Sequence, residues 1–260
     1  MADQGAQTFR SGEHTLVYHR VGSAAQPVVV LVHGIGMGRV VYAELTEELS
    51  RSATVYALDL PGFGDSPELD APLSMPATGD LLAEFVRGLG LEDPVLVGHS
   101  MGGQVVAEAL ARHRQLCSRA VLVAPSVNPA ERSMPRQAVR MLQDLAGESP
   151  KVLALGAYSY AKAGPRWFLR KMRQMLAHRL EETLPQIEAE VMVLYGDKDR
   201  VCPPAWMEKV ADLIPAAYLR AIPGTGHEAV ISTGQPAARL ILEHAQSGKP
   251  RAEVTVRQRN

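Results

Sequence analysis

Short apolar runs alternate with longer amphipathic stretches along most of this chain, and no other feature of the sequence constrains its fold as strongly. Five of the runs are rich in β-branched residues and apolar throughout, which is typical of buried parallel strands. They cover 28–32, 54–58, 95–97, 120–123 and 191–195. We also expect an edge strand at 15–20 and the last strand at 218–222.

The stretches between these runs have the spacing of amphipathic helices. Helices are predicted over 40–50, 75–89, 102–113, 204–213 and 235–246. Strands that alternate with helices predict an α/β fold, here a mostly parallel, doubly wound sheet of about eight strands.

The alternation stops once, between Pro125 and Pro185. Three helices are predicted there, near 135–146, 150–163 and 166–182, separated by glycine and proline. We name residues 126–185 the helical insert and expect it to form a cap, placed after the sixth strand of the sheet. Residues 1–125 and 186–246 then form the core, and the polar residues 247–260 are expected to be a disordered tail.

A G-x-S-x-G pentapeptide, Gly98-His99-Ser100-Met101-Gly102, lies where a predicted strand is followed by a predicted helix. A sharp turn at this point exposes the serine at the edge of the sheet, and the glycines permit a close approach of strand and helix. The first N–H groups of the helix face the same centre. The pattern predicts that Ser100 is a nucleophile; the alternative is a structural turn that happens to carry serine.

Four further motifs follow predicted strands, at the carboxyl ends where open α/β sheets place their sites. They are His33-Gly34-Ile35-Gly36, residues 59–66, Gly196-Asp197-Lys198-Asp199 and Gly224-Thr225-Gly226-His227. With the pentapeptide, these motifs resemble the α/β-hydrolase superfamily in sequence and in order, over residues 10–246. The chain is similar to its serine-nucleophile branch, which contains carboxylesterases and lipases, and also to meta-cleavage C–C hydrolases.

The resemblance implies a role for individual residues. Ser100 is the expected nucleophile, His227 the general base and Asp199 the acid that orients it, in the chain order of the family. The backbone N–H groups of Ile35 and Met101 are the expected oxyanion donors. Asp197 is the alternative acid, but a residue at that position also suits the cap of a turn.

Other residues near these motifs are expected to be structural or to line the substrate pocket. His33 is expected to brace loops, and His99 to serve packing beside the nucleophile. Glu228 is expected to be solvated, with support of His227 as the alternative. Phe63 is a candidate for the edge of the pocket, as are Trp167 and Met172, which belong to an apolar stripe in the helical insert. The same stripe also fits packing of the insert against the core.

Composition excludes several function classes. The formal net charge of −1 gives no indication of nucleic-acid binding, and no apolar run is long enough for a membrane span. The start of the sequence lacks the pattern of a signal peptide, so we expect a cytoplasmic protein. The two cysteines, Cys117 and Cys202, are expected to be reduced and structural.

The sequence shows no dinucleotide fingerprint, P-loop or zinc-like spacing, so we expect neither an organic cofactor nor a metal. Residues 129–180 contain ten basic and three acidic residues, a formal charge of +7, which leaves about −8 for the remainder. This bias fits either a solvated helix face or attraction of an anionic substrate or surface.

The function expected from these residues is hydrolysis of a small to medium carboxylic ester through an acyl-enzyme. The substrate would be a small molecule with an apolar, and in one interpretation anionic, acyl group. Hydrolysis of a C–C bond, a lactone or a thioester on the same residues is an alternative. In meta-cleavage enzymes the base is commonly followed by Trp, whereas Glu228 follows His227 here. An acyltransferase or a ligand receptor that carries the same three residues is the alternative of another class. The sequence does not indicate an oligomeric state.

Overall fold

An eight-stranded sheet lies at the centre of the computed structural model, which describes residues 4–23, 27–145 and 150–247. The strands are β1 (Gln4–Ser11), β2 (His14–Val21), β3 (Val28–Val32), β4 (Thr54–Asp59), β5 (Val95–His99), β6 (Arg119–Val123), β7 (Glu190–Gly196) and β8 (Ala217–Ile222). Their spatial order is β1-β2-β4-β3-β5-β6-β7-β8. β2 is antiparallel to its neighbours β1 and β4, and the six strands β3–β8 run parallel to one another, so the predicted fold class is confirmed.

Helices pack on both faces of the sheet, as expected for a doubly wound fold. They are α1 (Ala43–Ser50), α2 (Met75–Gly88), α3 (Met101–Arg112), α4 (Met134–Leu145), α5 (Pro150–Ala163), α6 (Pro165–Ala177), α7 (Leu180–Thr183), α8 (Pro204–Leu213), α9 (Ala229–Ser232) and α10 (Gly234–Gln246), with short 3-10 turns at Arg39–Tyr42, Pro129–Glu131 and Leu184–Gln186. One apolar cluster fills the face covered by α2, α3 and α8. A second fills the face covered by α1, α9 and α10. Apolar burial on both faces explains why the central strands are apolar throughout.

The edge strand was predicted at the wrong position. Residues 15–20 lie inside the sheet as part of β2, and the edge is formed by β1, which the sequence did not indicate. β1 reads QGAQTFRS, and its one large apolar side chain, Phe9, packs edge-on against Phe85 of α2 at 5.4 Å. An edge strand with one buried anchor does not have the apolar pattern of a core strand.

The helical insert contains α4, α5 and α6, which follow β6 and precede β7. The helix predicted over 166–182 is divided: α6 ends at Ala177 and α7 begins at Leu180. His178 is extended, with φ −70° and ψ 137°, and its Nε2 lies 2.7 Å from Glu108 Oε1 of α3. This contact to the core ends the helix.

Two other expectations concern membrane-spanning helices and the C-terminal tail. Among the described residues, we find no helix that is both long and apolar enough to cross a membrane. The tail predicted for 247–260 lies, apart from Ser247, outside the described residues.

Candidate active site

Ser100 occupies the turn between β5 and α3, with φ 53° and ψ −114°. A Cβ atom at Gly98 would collide with the carbonyl oxygen of Gly102, and one at Gly102 would collide with that of Val32. Both positions therefore require glycine because the backbones approach closely. The left-handed φ of Ser100 costs on the order of 1–3 kcal/mol, so the surrounding turn must hold the residue in place.

Three of the predicted site residues, distant in sequence, meet at the carboxyl end of the sheet. His227 Nε2 lies 3.0 Å from Ser100 Oγ, and His227 Nδ1 lies 2.9 Å from Asp199 Oδ2. The three residues are buried, with exposed fractions of 7% for Ser100, 3% for Asp199 and 1% for His227. In this arrangement the imidazole can accept the hydroxyl proton while the carboxylate holds its Nδ1–H tautomer.

The loop after β7 distinguishes the two candidate acids. Asp199 Oδ1 accepts hydrogen bonds from the backbone N–H groups of Val201, at 2.8 Å, and Cys202, at 2.7 Å, which leaves Oδ2 to face His227. Asp197 Oδ1 accepts a hydrogen bond of 2.6 Å from the N–H of Gly224 and so ties the loop after β7 to the loop after β8. The structure brings Asp199, and not Asp197, to His227.

Burial and the neighbouring carboxylate oppose each other in setting the pKa of His227. Burial would lower that pKa, but the charge and hydrogen bond of Asp199 outweigh it and hold the pKa well above its ordinary value of 6.5. The imidazolium that forms when His227 accepts a proton is therefore stabilised.

The two candidate oxyanion donors are Met101, which follows Ser100 in the sequence, and Ile35, which lies on the loop after β3. Met101 is the first residue of α3, where backbone N–H groups have no partner within the helix. Ile35 follows Gly34, and a Cβ atom at Gly34 would lie 3.3 Å from Ser100 Cβ, so this loop passes against the serine. The oxyanion role of both residues stays a prediction.

His33 and His99 are buried next to the site, and each forms a hydrogen bond to the backbone of a neighbouring loop. His33 Nε2 accepts a hydrogen bond of 2.9 Å from the N–H of Leu60, and burial lowers its pKa. His99 Nε2 lies 3.0 Å from the carbonyl oxygen of His227. Burial and the charge of His227 lower the pKa of His99 to about 3, so His99 is neutral and donates this bond.

Glu228 was expected to be solvated, and this expectation is wrong. The residue is 3% exposed, and its Oε2 lies 3.9 Å from His99 Nε2. Glu228 lies in the sequence between His227 and the buried residues 229–231 of α9. Because its neighbours on both sides are buried, Glu228 is buried as well. Burial and the charge of Glu228 raise the pKa of Tyr160, in the helical insert, to about 12.

The helical insert reaches the site through α5 and α6. Met175 Sδ lies 3.7 Å from Ser126 Oγ, which in turn lies 3.4 Å from Ser100 Oγ. The carbonyl oxygen of Met175 accepts a hydrogen bond of 3.1 Å from Gln104 Nε2 of α3. The Tyr160 ring lies over Gly36, beside the candidate oxyanion loop, so closely that no Cβ atom would fit between them.

The three residues predicted to line the pocket are buried to different degrees. Phe63 is fully buried, and its ring packs edge-on against His33 at 5.5 Å. Trp167 is 1% exposed and its indole lies against Gly62. Met172 is half-buried against the core. Contact of these side chains with substrate stays a prediction, and among the sulphur-containing side chains of the insert it is Met175 that reaches Ser126.

Sequence reasoning missed Cys202 as a neighbour of the candidate acid and base. Neither cysteine forms a disulfide and both are buried, as expected, but the Cys202 thiol lies beside the site. Its metal-binding atom and those of Asp199 and His227 all lie within 4.8 Å of one another. The available signal was its position three residues after Asp199, which brings its side chain to the same turn.

Comparison with known proteins supports the same fold. Residues 29–241 match the family model described as "Alpha/beta hydrolase family". Pimeloyl-[acyl-carrier protein] methyl ester esterase of Xanthomonas axonopodis pv. citri is 29% identical over 230 residues, which cover 77% of this chain and 88% of that protein. The esterase of the same name from Chromobacterium violaceum is 26% identical, with 85% and 95% covered.

Solved structures give a similar result. A bacterial membrane phospholipase A aligns with a TM-score of 0.79 and 25% identity, covering 94% of this chain and 87% of that chain. The enol-lactonase from Burkholderia xenovorans LB400 aligns with a TM-score of 0.80 and 19% identity, covering 93% and 100%. The second likeness concerns the fold alone. Since the family model spans most of the sequence, the chain belongs to the alpha/beta hydrolase family.

Proposed function

We propose that this chain is a serine hydrolase that cleaves a carboxylic ester through an acyl-enzyme. The observation that carries the proposal is the continuous line of contacts from Ser100 Oγ through His227 to Asp199, at 3.0 and 2.9 Å. Few arrangements activate a serine hydroxyl near neutral pH, and a base positioned by a carboxylate is the best known.

In the first half of the proposed reaction, Ser100 Oγ attacks the ester carbonyl and its proton passes to His227 Nε2. The negative charge on the tetrahedral oxygen is stabilised by the N–H groups of Ile35 and Met101. His227 then gives the proton to the departing alcohol, and the acyl group stays on Ser100. In the second half, water attacks the acyl carbon while His227 takes its proton. The bond from that carbon to Ser100 Oγ then breaks, His227 returns the proton to Oγ, and the carboxylic acid leaves.

The helical insert is proposed to cap this site and to select the acyl group. Support comes from Tyr160 over the loop at Gly36, and from Met175 beside Ser126. Ser100 is only 7% exposed, and we infer that the insert moves relative to the serine when substrate enters. Apolar side chains at this position suit an acyl chain better than a charged one.

Methyl esters are the first substrates to test, because relatives 24–29% identical to the chain are named as methyl ester esterases. The experiment compares the hydrolysis of methyl and p-nitrophenyl esters of graded acyl length by the wild-type protein and by Ser100→Ala. We expect the variant to lose about 10⁴–10⁶ in kcat without a change in melting temperature, because the nucleophile and base act as a unit.

Ser126→Ala is the matched control, since it removes the neighbouring hydroxyl, which contacts Ser100 Oγ and Met175 Sδ. We expect it to change kcat by no more than about fivefold, the value of one net hydrogen bond. Activity retained by Ser100→Ala, or an equal loss in both variants, would contradict the proposed nucleophile.

A further inference from the structure

Three side chains with metal-binding atoms converge at the candidate acid and base. Asp199 offers a carboxylate oxygen, Cys202 a sulphur and His227 a ring nitrogen, and these atoms all lie within 4.8 Å of one another. The exposed fractions of the three residues are 3%, 0% and 1%. No sequence spacing indicates this group, because His227 lies on a different loop from the other two.

The positions of these donors are fixed by backbone contacts. The N–H of Cys202 binds Asp199 Oδ1 at 2.7 Å, and Cys202 Sγ lies 3.3 Å from the carbonyl oxygen of Ala124. A tetrahedral zinc ion with bonds of about 2.0–2.3 Å separates its ligand atoms by about 3.3–3.6 Å. Starting from atoms within 4.8 Å, the site needs a movement of only about 1 Å to reach that geometry.

The charge and softness of the donors select the kind of ion. A divalent cation bound to one thiolate and one carboxylate forms a neutral group, which a buried site accommodates far better than an isolated charge. A set of one sulphur, one nitrogen and one oxygen suits Zn²⁺ or Cd²⁺, whereas Mg²⁺ and Ca²⁺ prefer oxygen ligands only.

We propose that Asp199, Cys202 and His227 Nδ1 form an inhibitory binding site for a thiophilic divalent cation such as Zn²⁺ or Cd²⁺. The metal takes the position of the Nδ1 proton, and the neutral imidazole carries its proton on Nε2 instead. The Cys202 thiol releases one proton to solvent when it becomes a thiolate ligand, and an imidazolium at His227 releases its Nδ1 proton as well. Water completes the fourth position.

Inhibition follows from the change of tautomer. With a proton on Nε2, His227 has no lone pair with which to accept the proton of Ser100, and Asp199 no longer orients the ring for catalysis. This consequence rests on the proposed function, whereas binding of the metal does not. The two can therefore be tested separately.

The first experiment measures ester hydrolysis with added zinc chloride, cadmium chloride or magnesium chloride. For the wild-type protein we expect inhibition by zinc and cadmium but not by magnesium. Cys202→Ala and Cys202→Ser, each compared with its own metal-free rate, should need at least a tenfold higher zinc concentration for half-inhibition. Cys117→Ser is the matched control, because that buried thiol lies against Arg119, outside the site, and it should be inhibited like wild type. Equal zinc sensitivity of wild type and of both Cys202 variants overturns the proposal.

The second experiment detects the metal bond directly and does not depend on activity or on the folding of a Cys202 variant. In Cys117→Ser protein, Cys202 is the one remaining thiol. We expect cadmium chloride to produce thiolate-to-metal absorption with one equivalent bound and at least one proton released, both in that protein and after Ser100→Ala is added to it. Absence of this absorption overturns the metal site. Its presence in a protein that hydrolyses no ester would leave the metal site standing and contradict only the proposed function.

Discussion

The sheet core and the helical insert differ in how they are held. Among the described residues, six large apolar side chains are exposed, and five of them lie in the insert: Val139, Leu142, Leu153, Tyr158 and Leu169. The two apolar clusters, in contrast, consist of side chains buried almost completely, and most of these side chains belong to the core. The formal charge differs too, with +5 over the insert, residues 126–185, and −6 over the rest of the chain.

The insert is joined to the core at buried points. Trp167 against Gly62 is an apolar contact, the carbonyl oxygen of Met175 accepts a hydrogen bond from Gln104, and Lys171 and His178 form further polar contacts. The core instead fixes the reacting atoms through backbone contacts, as at Gly98 and Asp199. We infer that substitutions in the core change the rate of chemistry, while substitutions at the buried points of the insert change stability and substrate preference.

The largest effect that we expect, and the one that tests the role of the core, is the loss of kcat on substitution of the candidate acid, Asp199. Asp199→Asn should lower kcat by about 10⁴, because an amide favours the wrong tautomer of His227. Asp197→Asn is the matched variant, since that carboxylate binds the N–H of Gly224 and does not reach His227. Steady-state kinetics on both variants measures the difference, and a greater loss in Asp197→Asn would show that the acid has been assigned to the wrong residue.

The next effect concerns the buried indole of the insert. Trp167→Ala should lower the free energy of unfolding by about 3–5 kcal/mol, as expected for a large side chain that is 1% exposed. Tyr158→Ala, in the same insert but 58% exposed, should stay within about 0.5 kcal/mol of wild type. Urea denaturation measures both.

The same two variants test substrate preference, through KM values for esters of graded length. If Trp167→Ala lowers stability with an unchanged ester profile, the indole serves packing alone. If Trp167→Ala leaves the free energy of unfolding unchanged, the inference that this buried contact of the insert contributes to stability is contradicted.

The smallest effect is pH-dependent. Lys171 is 3% exposed, and its ammonium group hydrogen-bonds the carbonyl oxygen of Leu73 and the hydroxyl of Thr78, both neutral acceptors. Burial lowers its pKa from 10.5 to about 7. The unfolded chain therefore holds this proton more tightly than the folded one, so stability rises with pH between about 7 and 10.5 and does not change further below 7.

Replacement by methionine removes this dependence. The free energy of unfolding of wild type relative to Lys171→Met should rise by about 3 kcal/mol between pH 7 and pH 9.5. Lys162→Met is the control, since Lys162 is exposed and pairs with Asp65 at the surface, and its difference from wild type should vary far less with pH. A flat difference for Lys171→Met would show that the ammonium group is hydrated in solution.

Much of the core could be predicted from the sequence because burial on both faces leaves a direct pattern. β3 was predicted with its observed bounds, and α8 also. β1 was missed because an edge strand needs few apolar residues, and here it has Phe9 alone as a large anchor. The break between α6 and α7 was missed because it depends on a contact from His178 to Glu108, far away in sequence.

The site, like the fold, has some residues that the sequence pattern identifies and others that depend on contacts between distant parts of the chain. The motif order was enough to name Ser100, Asp199 and His227, and the structure brings these residues together. Glu228 was predicted wrongly because its burial is decided by the α9 residues after it, which pack into the core. The proximity of Cys202, Ser126 and Met175 to the site arises from loops and from the insert, where no periodic pattern records which side chains meet.

Labelling with a fluorophosphonate tests the central claim most directly, because only an activated serine reacts rapidly with it. We expect peptide mass spectrometry to find one label, on Ser100, and the labelling rate to fall by at least about 10³ in His227→Ala. Trp167→Ala should be labelled at close to the wild-type rate by a small phosphonate, since the insert does not supply the reacting groups. Labelling at another serine, or an unchanged rate on Ser100 in His227→Ala, would contradict the proposal that His227 and Asp199 activate Ser100.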